Sequence, residues 1–217
     1  MKKKDEMKLK VIVISSSRAN EEEPEIVIQL FENGLNTFHL RKPKFSTREL
    51  RNYILQIPVK FHSRIIIHSH HILARKFNLK GVHLTKVHQR NKFKTWLTLK
   101  LLKIKIPDLI ITTSYSRLSN LFEEARPFDY VFLSPIFDSL SSKYQSGFSE
   151  QRLKAAMLKT PCHVVARGGI EISSVEKVKE IGFSGLALYS AIWKKKDPLL
   201  EFKQFMKKCQ DLGIDVE

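Results

Sequence analysis

Short apolar runs, each closing on small or polar residues, recur along this chain, separated by stretches whose apolar positions repeat at helical spacing. The runs cover residues 10–14, 37–40, 64–67, 81–84, 109–112, 130–133, 163–166 and 185–188. Runs this short and this apolar predict strands buried on both faces, as in a parallel sheet. The intervening segments 25–33, 47–55, 72–77, 93–102, 118–124, 150–158 and 175–181 predict helices, and 199–209 closes the series. Two helices carry start signals. Ser46-Thr47-Arg48-Glu49 has capping-box spacing, and Asp197-Pro198 sets a cap before a first-turn proline. Strict alternation of strand and helix argues for a parallel sheet, and eight repeats predict its closure into an α/β eight-fold parallel barrel, the TIM barrel. A doubly wound open sheet is the competing arrangement. Between the third and fourth strands there is room only for a stubby helix. No linker divides the chain, so one barrel domain is expected over residues 1–217, with residues 1–8 flexible.

Composition narrows this picture. A chain of 217 residues, 42% hydrophobic, is long enough to bury roughly 70% of its unfolded surface around one core. No apolar run approaches the roughly 18 residues of a membrane span. Met1-Lys2-Lys3-Lys4 has the basic start of a signal peptide, but Asp5 and Glu6 follow and the apolar run 11–14 is too short, so a cytoplasmic protein is expected. Cys162 and Cys209 lie far apart without metal-type spacing and predict reduced thiols. Charge is the unusual property: 38 Lys and Arg against 22 Asp and Glu give +16, which attracts polyanions. The excess is spread over Lys2–Lys4, the 100–105 stretch, Lys194–Lys196 and Lys207-Lys208 rather than interleaved with aromatics. That pattern reads as a solvated basic surface, and nucleic acid is disfavoured as a partner.

Candidate chemistry begins where the seventh and eighth runs end. Gly168 and Gly169 let backbone N–H groups approach a ligand closely, and Ser190 stands where the last strand hands over to a helix, so the two ends are suited to hold a phosphate. In eight-fold barrels the loops after these strands are the usual phosphate site. A plain tight turn is the alternative for the glycine pair.

Several stretches, in order, resemble the thiamine-phosphate synthases and their relatives the thiazole tautomerases. Phe38-His39-Leu40-Arg41-Lys42-Pro43 is similar to that family's Gln-Leu-Arg-Glu-Lys stretch, and Gly81-Val82-His83-Leu84 to its Gly-Val-His-Leu. The 129–137 run, Asp-Tyr-Val-Phe-Leu-Ser-Pro-Ile-Phe, resembles its Asp-Tyr-x-x-x-Gly-Pro-x-Phe. Gly168-Gly169-Ile170 and Tyr189-Ser190-Ala191-Ile192 look like its two phosphate-binding ends. The resemblance implies an eight-fold barrel that joins hydroxymethylpyrimidine diphosphate to thiazole phosphate and releases pyrophosphate with the help of Mg2+. Phosphorylated small molecules are then the partners, no membrane is involved, and a homodimer is left open.

Residue by residue, Arg41 offers a bidentate fork to the leaving pyrophosphate, with Lys42, Lys44 and Lys143 as further cations. Arg41 and Lys143 are the catalytic candidates. His39, His68, Thr113, Tyr115, Ser139, Ser141, Gly168, Gly169, Tyr189 and Ser190 are the other substrate-binding candidates. The family's basic residue two after the arginine is Pro43 here. Its Asn-Asp pair after the third strand corresponds to His68-Ser69, and the aspartate after the fourth strand falls at or beside His88. Neither family metal position, Ser69 or His88, keeps a carboxylate, whereas magnesium prefers hard oxygen ligands. The tautomerase histidine corresponds to Tyr115, whose phenol is a poor proton shuttle at neutral pH. The Pro-Thr-x-Thr-Lys lid becomes the 138–143 stretch Asp-Ser-Leu-Ser-Ser-Lys, in which Ser139 and Ser141 keep hydroxyl donors.

In a barrel, His39, His68 and His88 come from strand ends that share a rim, where they can meet to bind a metal such as zinc or to shuttle protons. Hydrogen-bonded structural histidines are the alternative. The expected function is thus a thiamine-phosphate synthase-type transferase. The alternatives are a thiazole-phosphate-binding or tautomerase-type relative without coupling activity, and a basic nucleic-acid-binding barrel.

Overall fold

The computed structural model describes residues 8–18, 20–123, 128–137 and 148–217. Its strands are β1 (Lys10–Ile14), β2 (Thr37–Leu40), β3 (Ile65–Ile67), β4 (Gly81–Leu84), β5 (Ile110–Tyr115), β6 (Tyr130–Leu133), β7 (Val164–Arg167) and β8 (Gly185–Leu188). They close into a barrel in sequence order, so the open doubly wound alternative is excluded. The pairs β2–β3, β3–β4, β4–β5, β6–β7 and β7–β8 are parallel. Helices intervene: α1 (Glu23–Glu32), α2 (Thr47–Leu55), α3 (Ile72–Phe77), α4 (Lys86–Arg90), α5 (Lys92–Lys105), α6 (Asn120–Glu123), α7 (Glu150–Lys159), α8 (Val175–Ile181), α9 (Ser190–Trp193) and α10 (Pro198–Asp211). By internal contacts the described residues form two compact units, one within Val13–Ser114 and one within Met1–Ile12 and Tyr115–Glu217.

Within Val13–Ser114 the core forms where β2 and β3 meet α1 and α2. Phe31 of α1 packs edge-on against Phe38 of β2 with centroids 6.1 Å apart, and stacks on Phe61 at 5.1 Å. Helix α2 starts where the capping box sets it. Ser46 Oγ accepts the Glu49 N–H at 3.3 Å, and the Glu49 carboxylate accepts the Ser46 N–H at 2.7 Å. β5 extends beyond the expected 109–112 run to Tyr115. Its extra length is polar, and an apolarity criterion misses it. The added Thr113 and Ser114 hydroxyls have partners, Thr113 Oγ1 at the Leu84 carbonyl (2.8 Å) and Ser114 Oγ at His83 Nε2 (3.0 Å).

Helix α5 departs from the usual amphipathic rule. Phe93, Trp96, Leu97, Leu101 and Ile104 follow helical spacing but face solvent, Phe93 being 76% exposed, while Thr95 and Leu102 are the buried positions. Five lysines (Lys92, Lys94, Lys100, Lys103 and Lys105) and no acidic residue accompany that stripe.

In the second unit, Val131, Phe132, Val165, Ala166, Leu186 and Leu188 of β6–β8 are fully buried, as is Phe202 of α10. α10 begins at Asp197, whose carboxylate accepts the Leu200 N–H at 2.9 Å, with Pro198 in its first turn. Glu150 of α7 pairs with Lys154 of the same helix at 2.8 Å and with Lys177 of α8 at 2.9 Å. These two lysines hold its carboxyl down to about 2.

Candidate active site

Parallel register decides which side chains share a face in Val13–Ser114. Leu40 pairs with Ile67 and Ile67 with Val82, so one step further His68 falls level with both Arg41 and His83, and His83 in turn pairs with Thr112. Side chains alternate along a strand, so His39, two before Arg41, and Ser114, two after Thr112, belong to this face. The contacts agree. His39 Nδ1 lies 2.9 Å from His68 Nε2, and the His68 and His83 rings stack at 4.1 Å. His83 Nδ1 is 2.8 Å from Thr112 Oγ1 and its Nε2 is 3.0 Å from Ser114 Oγ. All three imidazoles are buried.

The expected trio of His39, His68 and His88 is thereby corrected: His83, not His88, completes it. His88 lies beyond the strand end on α4, where its ring stacks on His71 at 4.3 Å and its Nδ1 sits 2.8 Å from Thr85 Oγ1. Burial holds His71 down to about 4, helped by the neighbouring His88, and burial also lowers His88.

Arg41 follows β2 and is half-buried, its backbone fixed by Ser15. The Ser15 hydroxyl accepts the Arg41 N–H at 2.8 Å and donates to its carbonyl at 3.0 Å. Lys42, though adjacent, occupies a different environment. At 1% exposure its ammonium pairs with the buried Glu23 carboxylate and donates to the Arg18 carbonyl at 2.8 Å, while the Tyr53 hydroxyl donates to the other Glu23 oxygen at 3.1 Å. Burial pushes the Glu23 carboxyl up, against the pull of Lys42 and Tyr53. Lys44 is exposed. Thr113 is fully buried and turned to the face opposite Thr112, taking a hydrogen bond from Gln89 of α4.

In the second unit, β7 and β8 pair Arg167 with Ala187, so continuing the register sets Gly169 beside Tyr189 and places Ser190 at the start of α9. Gly168 and Gly169 both have left-handed backbone, with φ of 91° and 65°. The segment after β6 presses against them. Ile136 N–H donates to the Arg167 carbonyl at 3.0 Å and Phe137 N–H to the Gly168 carbonyl at 3.2 Å. A Cβ on Gly169 would come within 2.5 Å of the Phe137 carbonyl oxygen. Tyr115 is buried at the end of β5, its carbonyl accepting the Ser134 N–H at 3.0 Å. Ser139, Ser141 and Lys143 lie outside the described residues.

The chain is a closed eight-stranded β/α barrel, a fold in which phosphate is frequently held at the last strand ends, and its paired-glycine turn follows β7. Residues 10–192 match the thiamine monophosphate synthase family, and the chain belongs to it. The thiamine-phosphate synthase of Desulfitobacterium hafniense (strain Y51) is 28% identical over 183 residues, covering 81% of this chain and 84% of its own. That of Campylobacter jejuni serotype O:2 is 26% identical, covering 97% and 98%. The crystal structure of thiamine phosphate pyrophosphorylase from Bacteroides thetaiotaomicron superimposes with a TM-score of 0.73 at 25% identity, covering 93% and 98%. Among the described residues no helix is long and apolar enough to cross a membrane.

The resemblance to this family implies Mg2+ as the ion that helps pyrophosphate leave. The donors at the two family positions do not fit that ion. Ser69 offers a hydroxyl, and the His88 imidazole is already engaged by Thr85, so neither supplies the anionic oxygen that magnesium requires.

Proposed function

We propose that this chain is a thiamine-phosphate synthase-type transferase that joins hydroxymethylpyrimidine diphosphate to thiazole phosphate in the cytoplasm. The observation that carries the reading is the family match over residues 10–192, supported by synthases that cover nearly the whole chain. Breaking the bond to the diphosphate oxygen collects negative charge on the departing pyrophosphate, so cations must meet it. Arg41 is assigned that role, its backbone held by Ser15 so that the guanidinium projects from a fixed point. The Gly168-Gly169 turn, with Ser190 one residue beyond the Tyr189 register position, is assigned to the thiazole phosphate. Left-handed glycines expose backbone N–H groups without a Cβ in the way. His39, His68 and the hydroxyl of Ser114 line the strand-end face that would meet the pyrimidine.

Lys42 is assigned to holding the Arg41 segment rather than to the substrate, because its charge is satisfied by Glu23. The direct test incubates purified protein with both substrates across divalent metals and follows thiamine phosphate. Turnover is expected, and its absence at every metal and pH would overturn the assignment.

A further inference from the structure

We propose that His39, His68 and His83 form a three-imidazole site for a divalent first-row transition metal of the zinc and cobalt class, in place of the oxygen-ligated magnesium site. One ring nitrogen from each residue lies within 4.8 Å of the other two, and all three rings are buried. Nitrogen ligands at about 2.0–2.1 Å from a tetrahedral zinc stand about 3.3 Å apart. The His39 Nδ1–His68 Nε2 separation of 2.9 Å is already close to that span, and His83 joins the pair when its ring turns out of the stack on His68 and gives up one of its two hydroxyl partners.

The surroundings of His83 suit a ligand. Thr112 and Ser114 hydroxyls sit at its two ring nitrogens, and a hydroxyl serves as donor or acceptor. One nitrogen can thus keep its proton on one hydroxyl while the other turns its lone pair to a cation, the outer-shell arrangement that fixes the tautomer of a metal-bound histidine. Backbone order reinforces the side chains. The His68 N–H donates to the Leu40 carbonyl at 3.1 Å, which locks the third-strand end to the second one residue beyond His39. Three neutral imidazoles leave a divalent ion with its full charge and a fourth position open to water or an anionic oxygen, which the donor chemistry favours over a closed structural site. The same set disfavours Mg2+ and Ca2+, which take oxygen ligands.

All three histidines lie within Val13–Ser114, and their capacity for a metal does not depend on the reaction assigned above. The test uses the full chain without a histidine tag, stripped with a chelator and titrated with Co2+. The expected result is one equivalent bound, with the strong visible bands of tetrahedral cobalt, and displacement by one equivalent of Zn2+. His39→Gln and His68→Asn, chosen to keep volume and hydrogen bonding in buried positions, should each weaken binding by more than the roughly 10–100-fold expected for the outer-shell variant Thr112→Val. His88→Ala and the exposed His163→Ala should bind cobalt as the parent does. Circular dichroism checks that each variant is folded, and if the buried variants fail to fold, the stoichiometry and spectrum of the parent with the His88→Ala control decide the matter. Weak non-saturating binding, an octahedral spectrum, or loss of binding in His88→Ala would each overturn the site. The coupling assay is read separately, since thiamine phosphate forms or fails to form whichever way the cobalt titration falls.

Discussion

Arg41 and Lys42 are neighbours in sequence with opposite fates, and single substitutions separate them. Arg41 keeps its backbone bonds to Ser15 as alanine, so Arg41→Ala should leave the melting temperature nearly unchanged while kcat and kcat/KM fall together by about 10²-fold. Near-parental kinetics would show that the pyrophosphate is met elsewhere. Lys42→Met removes one partner of a buried pair and leaves the Glu23 charge uncompensated, a loss of about 3–5 kcal/mol. The double variant Lys42→Met/Glu23→Gln should recover much of it, since no bare charge remains. Acid should also narrow the deficit of the single variant. Burial already raises the Glu23 carboxyl, so it takes up its proton above the ordinary carboxylate range, and a group raised in the folded state adds stability as pH falls. Denaturant melts at neutral and mildly acid pH check both statements, and a deficit that grows in acid would count against them. Sequence could mark Lys42 as a cation beside Arg41. It could not show the partner, because Glu23 and Tyr53 are brought to it by α1 and α2 from 19 residues before and 11 after.

At the scale of elements, the glycine turn after β7 owes its sequence to two separable constraints. Gly169 and Gly213 have nearly equal φ, 65° and 61°, but a Cβ meets the Phe137 carbonyl at Gly169 and nothing within 4 Å at Gly213. Gly213→Ala therefore reports left-handed strain alone, about 1 kcal/mol at the low end of its range, and Gly169→Ala reports that strain plus displacement of the segment after β6. The expected outcome is a clearly larger fall in melting temperature for Gly169→Ala. Equal falls would mean that the Phe137 segment yields freely. Apolar runs located all eight strands because each is buried on both faces. The same criterion cut β5 short, since Thr113 and Ser114 continue the strand with hydroxyls that find partners in β4. Register was the missing information for the histidines. Counting by strand ends grouped His88 with His39 and His68, whereas pairing Ile67 with Val82 brings in His83.

For the whole molecule, the +16 charge and the family match constrain different things. Membership follows from motifs spread over residues 10–192, and these were legible because a barrel places its chemistry at successive strand ends. Surface arrangement was not legible. Helical spacing in residues 93–102 announces an amphipathic face but not the side on which it packs, and in α5 the apolar stripe is the outer one. That exposure gives the protein an optical property. It has two tryptophans, Trp96 at 54% exposure with the Lys100 ammonium 5.2 Å from its ring, and the half-buried Trp193. Lysines around Trp96 should concentrate anions beside the indole, so iodide should quench its fluorescence far more efficiently than caesium does. The difference should shrink as salt shortens the Debye length from about 30 Å at 0.01 M towards about 8 Å at 0.15 M. Trp96→Phe should abolish most of the iodide-sensitive emission and leave a bluer remainder from Trp193, one short helix turn from Ser190, whose intensity can then be followed as phosphate-bearing ligands are added.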